Sequence, residues 1–427
     1  MRTVYFEEGC YIDVIDWVHP SKRLIGEESS ALQGKKVVLG VTGSVACYRS
    51  VDLARKLMRR GAEVYVVMSE SAADLVSPEL FRWATGNPVM VEFTGDIEHV
   101  EYAEYADSMI IAPATANTVS KIAHGVADTS VTLTALTMRG AEKPVGVVPV
   151  MHLQLYKSPQ MSSSVERLKS LGYHVLDPLI EADKAKMPEV EDIAHFTEAM
   201  TLRGRDLEGL KLLVTAGPTR EYLDPVRFLT NPSSGRMGVA LAKEAFFRGS
   251  SVTLVHGPLS VRAPPWVKCV EAETTDEYLK QVLEELSTNE YHVAILAGAP
   301  IDYRFERVYE SKLESADGPL NVKLQLTPKV VEAVRKRFPD IYLVGFAAET
   351  VKSDEELVER AEMKLKRYSL NMVVANNVAR KDIGFMSTMN EVYVIDEDGC
   401  KVRIPKASKE EVARVILDLL ESRVKKL

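Results

Sequence analysis

The feature that most constrains this chain is a pattern that occurs twice: a short apolar β run, a glycine-bearing loop, then a helix. The first copy begins at Lys35 with KKVVLGV, passes through Thr42-Gly43-Ser44 and continues as VACYRSVDLARKLMRRG, closing at Gly61. The second begins at Lys211 with KLLVTAG, crosses a long loop and continues as GRMGVALAKEAFFRG. Further apolar runs follow each start. EVYVVMS, SMIIAPA and VGVVPVM come after the first; SVTLVHG, HVAILAG, YLVGFAAE and NMVVANN come after the second. Strands that are apolar throughout and alternate with helices belong to parallel sheets covered on both faces. The pattern therefore predicts an α/β chain of two doubly wound, mostly parallel, Rossmann-like domains.

Residues 1–34 lack this periodicity and are expected to form an extension of one short strand and a helix. Residues 35–200 form the first domain, the polar stretch TLRGRDLEGL (201–210) the linker, and residues 211–427 the second domain. There EVYVIDEDGCKVRI reads as a hairpin turning at Asp398-Gly399, and SKEEVARVILDLLESRVKKL as a closing helix. A chain of 427 residues is long for a single core, which agrees with two domains.

Bulk properties narrow the function. A net charge of -8 argues against a nucleic-acid partner, which calls for a basic face. The four cysteines, Cys10, Cys47, Cys269 and Cys400, form no C-x-x-C pair, so neither a zinc ribbon nor a disulfide framework is expected. The opening MRTVYFEEGC lacks a charged segment leading into an apolar one, so no secretory leader is expected. No run of about 18 apolar residues is present, so no membrane partner is expected and the chain reads as cytoplasmic.

Ligands of open parallel sheets sit outside the carboxyl ends of the strands. Three strand ends in the first domain carry small or hydroxyl residues: Gly40-Val41-Thr42-Gly43-Ser44, Ser69-Glu70-Ser71, and Ala112-Pro113-Ala114-Thr115-Ala116-Asn117-Thr118. The first alone reads equally as a tight βα turn. It is not G-x-G-x-x-G, which favours a mononucleotide over a dinucleotide. His99 lies among Asp96, Glu98, Glu101 and Glu104, and two readings stay open: a solvated acidic helix face, or a general acid or base.

The set GVTGSVACYRS, the stretch from His99 to Asp107, APATANT and PVMHLQLY resembles the flavoprotein family of homo-oligomeric cysteine decarboxylases over about residues 35–160. The resemblance implies that Gly43, Ser44, Ser69, Ala112, Thr115 and Asn117 cradle FMN, and that His99 is catalytic. It places Met151 and His152 at the substrate, with His152 standing where the family has asparagine. The cysteine that assists the family's final reduction is absent; Glu181-Ala182-Asp183-Lys184-Ala185-Lys186-Met187-Pro188 stands at its place. Lys184 or Lys186 there reads either as a proton donor or substrate-phosphate ligand, or as a surface charge run. Loss of CO2 next to an amide nitrogen has no electron sink of its own, and a flavin supplies one by oxidising the neighbouring CH2–SH.

In the second domain, Thr215-Ala216-Gly217-Pro218-Thr219 leads into a long loop ending at Asn231-Pro232-Ser233-Ser234-Gly235-Arg236. Either serine can cap the next helix, and Arg220, Arg227 and Arg236 offer positive charge. No G-x-x-x-x-G-K-[ST] is present, so this is not a P-loop. Loops of this length in compact domains are usually functional.

From Lys211 to about Asn377 the chain resembles phosphopantothenate–cysteine ligases, through APIDYR (299–304), SKL (311–313), TPKVV (327–331), GFAAET (345–350) and ANN (375–377). The resemblance implies nucleotide binding by Asp302, Lys312, Pro328, Lys329, Val330, Val331, Phe346 and Lys364. Asn231 would contact an acyl-nucleotide intermediate, and Lys312 would stabilise charge developing on its phosphate. Taken singly, Lys312 and Lys364 read as ordinary exposed lysines. One family lysine falls near Tyr368. The nucleotide implied is CTP, with Mg2+ held mostly by its phosphates; composition does not separate CTP from ATP.

Together the two resemblances imply coenzyme A biosynthesis from 4'-phosphopantothenate, cysteine and CTP, by ligation followed by decarboxylation. They also imply trimers of the decarboxylase domain and dimers of the ligase domain. The alternative is an active ligase fused to a flavin-binding scaffold that does not turn over.

Overall fold

The apolar runs become the buried interiors of two sheets because no alternate residue needs to face water. The computed structural model describes residues 18–93, 95, 97–314, 318–380 and 382–424, together with the backbone of strands at 2–5 and 11–14. Cys10 and Asp96 lie outside the described residues. The chain divides into two compact units, Met1–Gly204 and Arg205–Leu427.

In the first unit β1 (Arg2–Tyr5) and β2 (Tyr11–Val14) pair antiparallel, and a 3-10 turn spans Pro20–Leu24. The expected single strand and helix are thus two strands and a turn. The main strands are β3 (Lys36–Val41), β4 (Glu63–Met68), β5 (Val89–Met90), β6 (Ser108–Ala114) and β7 (Val145–Pro149). After β8 (Met151–His152), strand β9 (His174–Val175) completes a parallel sheet in the order β5-β4-β3-β6-β7-β9. Val37, Val38, Leu39, Met109, Ile110 and Ile111 have no exposed surface. Each such side chain contributes about 1.5–3 kcal/mol of burial.

The run VGVVPVM does not remain one strand. Pro149 has no N–H to extend the ladder, so β7 stops there. Met151–His152 instead joins an antiparallel sheet with β10 (Leu179–Glu181) and β11 (Lys184–Lys186), in the order β10-β11-β8. The expected linker also begins later than its polarity suggests. Helix Val190–Arg203 takes its first three residues, because Thr201 Oγ1 shares a 2.7 Å hydrogen bond with the Ser108 hydroxyl.

In the second unit β12 (Lys211–Ala216) is followed by a ribbon of β13 (Arg220–Tyr222) and β14 (Phe228–Thr230), so the expected long loop is partly sheet. Next come β15 (Ser251–His256), β16 (Lys268–Glu271) and β17 (Val293–Leu296), then a second ribbon, β18 (Tyr303–Phe305) with β19 (Leu324–Leu326). Strands β20 (Tyr342–Glu349), β21 (Met372–Asn377), β22 (Met389–Asp396) and β23 (Lys401–Ser408) complete the main sheet. Its order is β16-β15-β12-β17-β20-β21-β22-β23, parallel as far as β21 and antiparallel in the final hairpin. Gly399 turns that hairpin with φ +85°.

Helix Arg236–Phe247 packs so closely on β12 that a Cβ on Gly238 would lie 2.5 Å from the Thr215 carbonyl oxygen. The closing helix spans Lys409–Val424; the last three residues expected in it lie outside the described residues. Fully buried Arg248 joins Asp206 at 2.6 Å and Asp418 at 2.9 Å, and Arg414 joins Glu244 at 3.1 Å, locking the two helices together. Among the described residues no helix is long and apolar enough to cross a membrane.

Candidate active sites

Each sheet has one point where the strand order changes direction, between β3 and β6 in the first unit and between β12 and β17 in the second. Loops leaving such a point diverge and open a crevice outside the carboxyl ends of the strands.

In the first unit the crevice falls at Gly43-Ser44, Ser69 and Thr115. Thr42 Oγ1 donates to the Pro113 carbonyl at 2.8 Å and accepts from the Thr115 N–H at 2.9 Å, tying the ends of β3 and β6 together. A Cβ on Gly43 would collide with the Ser71 side chain, so only glycine lets these two loops close up. The Ser44, Ser69 and Thr115 hydroxyls accept from first-turn amides of Ala46, Ala72 and Thr118. Ala112 is fully buried, and its carbonyl accepts from Ser50 Oγ at 2.7 Å; it shapes the strand end rather than offering a side chain. Asn117 is exposed.

His99 is half-buried on helix Glu98–Tyr105. That helix is anchored by Tyr102 and Tyr105, whose rings meet Tyr65 at centroid distances of 6.0 and 5.4 Å. Among the described residues the His99 ring makes no hydrogen bond, leaving both nitrogens available. Met151, His152 and Lys184 come together on one small sheet, with Lys184 paired opposite His152 and both exposed. Lys186 is occupied by Glu181 at 2.6 Å.

In the second unit a cavity of about 480 Å³ lies at the sheet's turning point, where Thr215 Oγ1 accepts from the Gly298 N–H at 3.0 Å. It gathers Asn231, Asp302, Lys329, Val330, Val331, Phe346 and Lys364. Asn231 donates through its amide to the carbonyls of Ala299 and Pro300 at 3.1 and 3.2 Å. Two lysines carry carboxylate partners, Lys329 with Asp302 and Lys364 with Glu349, each at 2.6 Å. Tyr368 lines the wall where the family lysine was expected.

Other expected residues fall elsewhere. Lys312 is exposed and, like Pro328, is not part of the cavity lining. Arg220 pairs with Glu273 and Arg227 with Asp224, so of the three loop arginines only Arg236 reaches the cavity. Neither serine caps the helix: Gly235 does, in the left-handed region at φ +75°, and Ser234 donates instead to the Phe385 carbonyl at 2.6 Å. Buried Lys409, at the start of the closing helix, lines the cavity and was not singled out. Its flanking SKEE reads as a helix start, and nothing in the sequence distinguishes an inward lysine there.

The flavoprotein family model matches residues 25–202, and the model of the DNA/pantothenate metabolism flavoprotein C-terminal domain matches residues 207–424. The chain is 42% identical to the coenzyme A biosynthesis bifunctional protein CoaBC of Thermococcus kodakarensis, over 95% of this chain and 99% of that protein. The same protein of Methanocaldococcus jannaschii is 34% identical over 96% and 98%, and that of Escherichia coli K12 is 35% identical over 92% and 98%. A crystal structure of the C-terminal domain of CoaBC, 34% identical, covers 52% of this chain and 100% of its own, with a TM-score of 0.44. Matched over nearly its whole length by these relatives, the chain belongs to the family of coenzyme A biosynthesis bifunctional proteins.

Proposed function

We propose that the chain joins 4'-phosphopantothenate to cysteine at the expense of CTP, and then decarboxylates the 4'-phospho-N-pantothenoylcysteine formed to 4'-phosphopantetheine. The ligase domain is 211–427 and the decarboxylase domain 35–200. The observation that carries this reading is one cavity holding Asn231, Asp302, Lys329, Phe346 and Lys364 at the turning point of the second sheet.

A carboxylate is a poor acyl donor until activated. The 4'-phosphopantothenate carboxylate attacks the α-phosphorus of CTP and pyrophosphate leaves, giving an acyl-nucleotide. The cysteine amine then displaces the nucleotide monophosphate and the amide forms. Asn231 positions the acyl-nucleotide, its amide already aimed along the Ala299-Pro300 backbone. Lys329 and Lys364 supply the positive field for the phosphates, a positioned-cation role; the charge-stabilising role of Lys312 is carried by the resemblance alone, since that side chain stands exposed outside the cavity lining. Val330, Val331 and Phe346 give the nucleotide an apolar wall, and Pro328 stiffens the turn before them. Mg2+ would take most of its ligands from the triphosphate, since this ion is usually bound through substrate phosphates and one or two carboxylates.

In the decarboxylase domain the Gly43 approach and the donors of Ser44, Ser69 and Thr115 fit the phosphate and ring edge of FMN, with Ala112 and Asn117 completing the cradle. FMN, when bound, supplies the oxidation of the substrate CH2–SH that gives the carboxylate its electron sink. His99 holds or moves the proton at the substrate. Met151, His152 and Lys184 bind the carboxylate and amide end.

Pairing of ligase domains is supported by the second ribbon and its flanks, where Tyr303, Leu320, Val322, Leu324 and Leu326 are all exposed. The decarboxylase domains are assigned to trimers from the flavoprotein resemblance. Purified chain given 4'-phosphopantothenate, cysteine, CTP and Mg2+ tests the whole scheme. CO2 release matching ligation supports it, and ligation without CO2 leaves the flavin unit a scaffold.

A further inference from the structure

Asn231 is aimed by the carbonyls of Ala299 and Pro300, so its position depends on the bend that carries them. That bend, residues 298–301, is fastened to the loop after β12 at three points. The Gly298 N–H donates to Thr215 Oγ1 at 3.0 Å, the Ala299 N–H to the Gly217 carbonyl at 2.8 Å and the Ile301 N–H to Thr219 Oγ1 at 2.9 Å. Two of these acceptors are threonine hydroxyls, which rotate, so each holds its amide only as firmly as it is itself held.

Helix Thr275–Thr288 meets both hydroxyls. Thr275 Oγ1 shares a 2.8 Å hydrogen bond with Thr219 Oγ1. Three residues on, and so on the same helix face, Tyr278 brings its phenolic oxygen against Thr215 and Gly298. A Cβ on Gly298 would collide with that oxygen and lie 3.2 Å from Thr215 Oγ1, so the phenol fills the place of the missing side chain. Thr215, Thr219, Thr275 and Tyr278 are each at most 1% exposed. Among the described residues the Tyr278 oxygen makes no hydrogen bond of full geometry. A buried hydroxyl left so is unfavourable, and phenylalanine would carry no such cost, so stability alone does not account for a tyrosine here. The helix start is itself fixed: Thr274 and Glu277 form a capping box, and the Thr275 N–H donates to Glu221 at 2.9 Å.

We propose that Thr275 and Tyr278 are positioning residues for ligation, holding the 298–301 bend where its carbonyls aim Asn231 at the acyl-nucleotide. Thr275 acts through Thr219 and the Ile301 amide, and Tyr278 through Thr215 and Gly298. A misplacement of about 1 Å at a reacting centre costs on the order of 100-fold in rate, so a support remote from the chemistry still governs it. A misaimed Asn231 slows the bound complex while the lysines still hold its phosphates, so the loss falls on kcat and spares KM. Tyr278 also lines the cavity, which makes direct contact with the nucleotide the rival role. The inference rests on the ligase reading.

The test measures ligation by the full chain for wild type, Tyr278→Phe, Thr275→Val, Thr275→Ser and Asn231→Asp, and for Tyr278→Phe combined with Asn231→Asp. Tyr278→Phe and Thr275→Val are each expected to lower kcat about 10-fold, while KM for CTP and for 4'-phosphopantothenate stays within about twofold. Thr275→Ser, which keeps the hydroxyl, should retain the wild-type rate. Tyr278→Phe should cost nothing further in the Asn231→Asp chain, which has already lost the contact that the bend serves. Losses that multiply in the combined variant would overturn the proposal, as would unchanged kinetics in the single ones. A rise in KM for CTP with kcat kept would assign the Tyr278 hydroxyl to the nucleotide and overturn it too. Should Tyr278→Phe fail to fold, the Thr275→Val and Thr275→Ser pair decides the same question. A wild type with no ligation would sink the ligase reading alone. Hydrogen exchange in the peptide spanning residues 296–304 then decides the positioning role: faster exchange in Tyr278→Phe and Thr275→Val supports it, and unchanged exchange refutes it.

Discussion

Lys184 stands directly opposite His152 in the antiparallel pair of β11 with β8. Each departs from the flavoprotein pattern, one where an asparagine is usual and the other in the stretch that lacks the family's cysteine. The pairing places both on one face of the small sheet that follows Pro149. The two departures therefore meet at a single location, an imidazole beside an ammonium.

Lys184→Ala is expected to raise KM for 4'-phospho-N-pantothenoylcysteine in decarboxylation by about tenfold, the size of one exposed charge-assisted contact. Ligation should be untouched. Steady-state decarboxylation assays decide it, and an unaltered KM together with an unaltered kcat removes Lys184 from the substrate.

His99→Asn should abolish CO2 release and spare ligation. The helix that carries His99 is held by the Tyr65, Tyr102 and Tyr105 rings rather than by the imidazole, so the fold should survive. Coupled loss of both activities, with an unchanged melting temperature, would contradict the division of labour between the units.

Asn231→Asp should do the reverse. A carboxylate cannot donate to the Ala299 and Pro300 carbonyls that the amide now holds at 3.1 and 3.2 Å, and it would repel a phosphate. Ligation should fall at least about 100-fold, the scale of a few kcal/mol in a transition state. Following amide formation by mass, a rate within a few-fold of wild type would remove Asn231 from its assigned role.

Lys409 has a stability signature. Burial first, and then the Arg236 guanidinium, push its ammonium down to about 8, below the ordinary lysine value of about 10.4. The unfolded chain therefore holds more protons between those values, and stability rises with pH across that window; below it the full cost of the buried charge applies. Without substrate, Lys409→Met should melt higher than wild type at neutral pH, by about 2–4 °C for each kcal/mol relieved. The gap should narrow as pH climbs from about 8 to about 10.4. A variant that melts lower at every pH, in calorimetric scans, would show that Lys409 is structurally required instead.

Much of this architecture was legible in the sequence because fully buried parallel strands leave unbroken apolar runs. β20 spans the run Tyr342–Glu349 without a residue's difference, and β3 and β12 differ from theirs at single ends. The short pieces were not legible. β13, β14, β18 and β19 have three residues each and lie on ribbons with little buried surface, so no period marks them. Pro149 could have been read as a strand stop. Thr201 could not have been read as helical, since its partner Ser108 is remote in sequence. At the ligase cavity, motifs carried by strand ends arrived together, whereas Lys312 stayed outside. Lys409 came in through burial alone, which charge patterning does not report.

That one chain performs both steps is tested most directly by purified protein supplied with 4'-phosphopantothenate, cysteine, CTP and Mg2+, its products followed by mass. The expected end product is 4'-phosphopantetheine, with one CO2 released for each amide formed. Accumulation of 4'-phospho-N-pantothenoylcysteine without CO2, in protein that holds FMN, would contradict it.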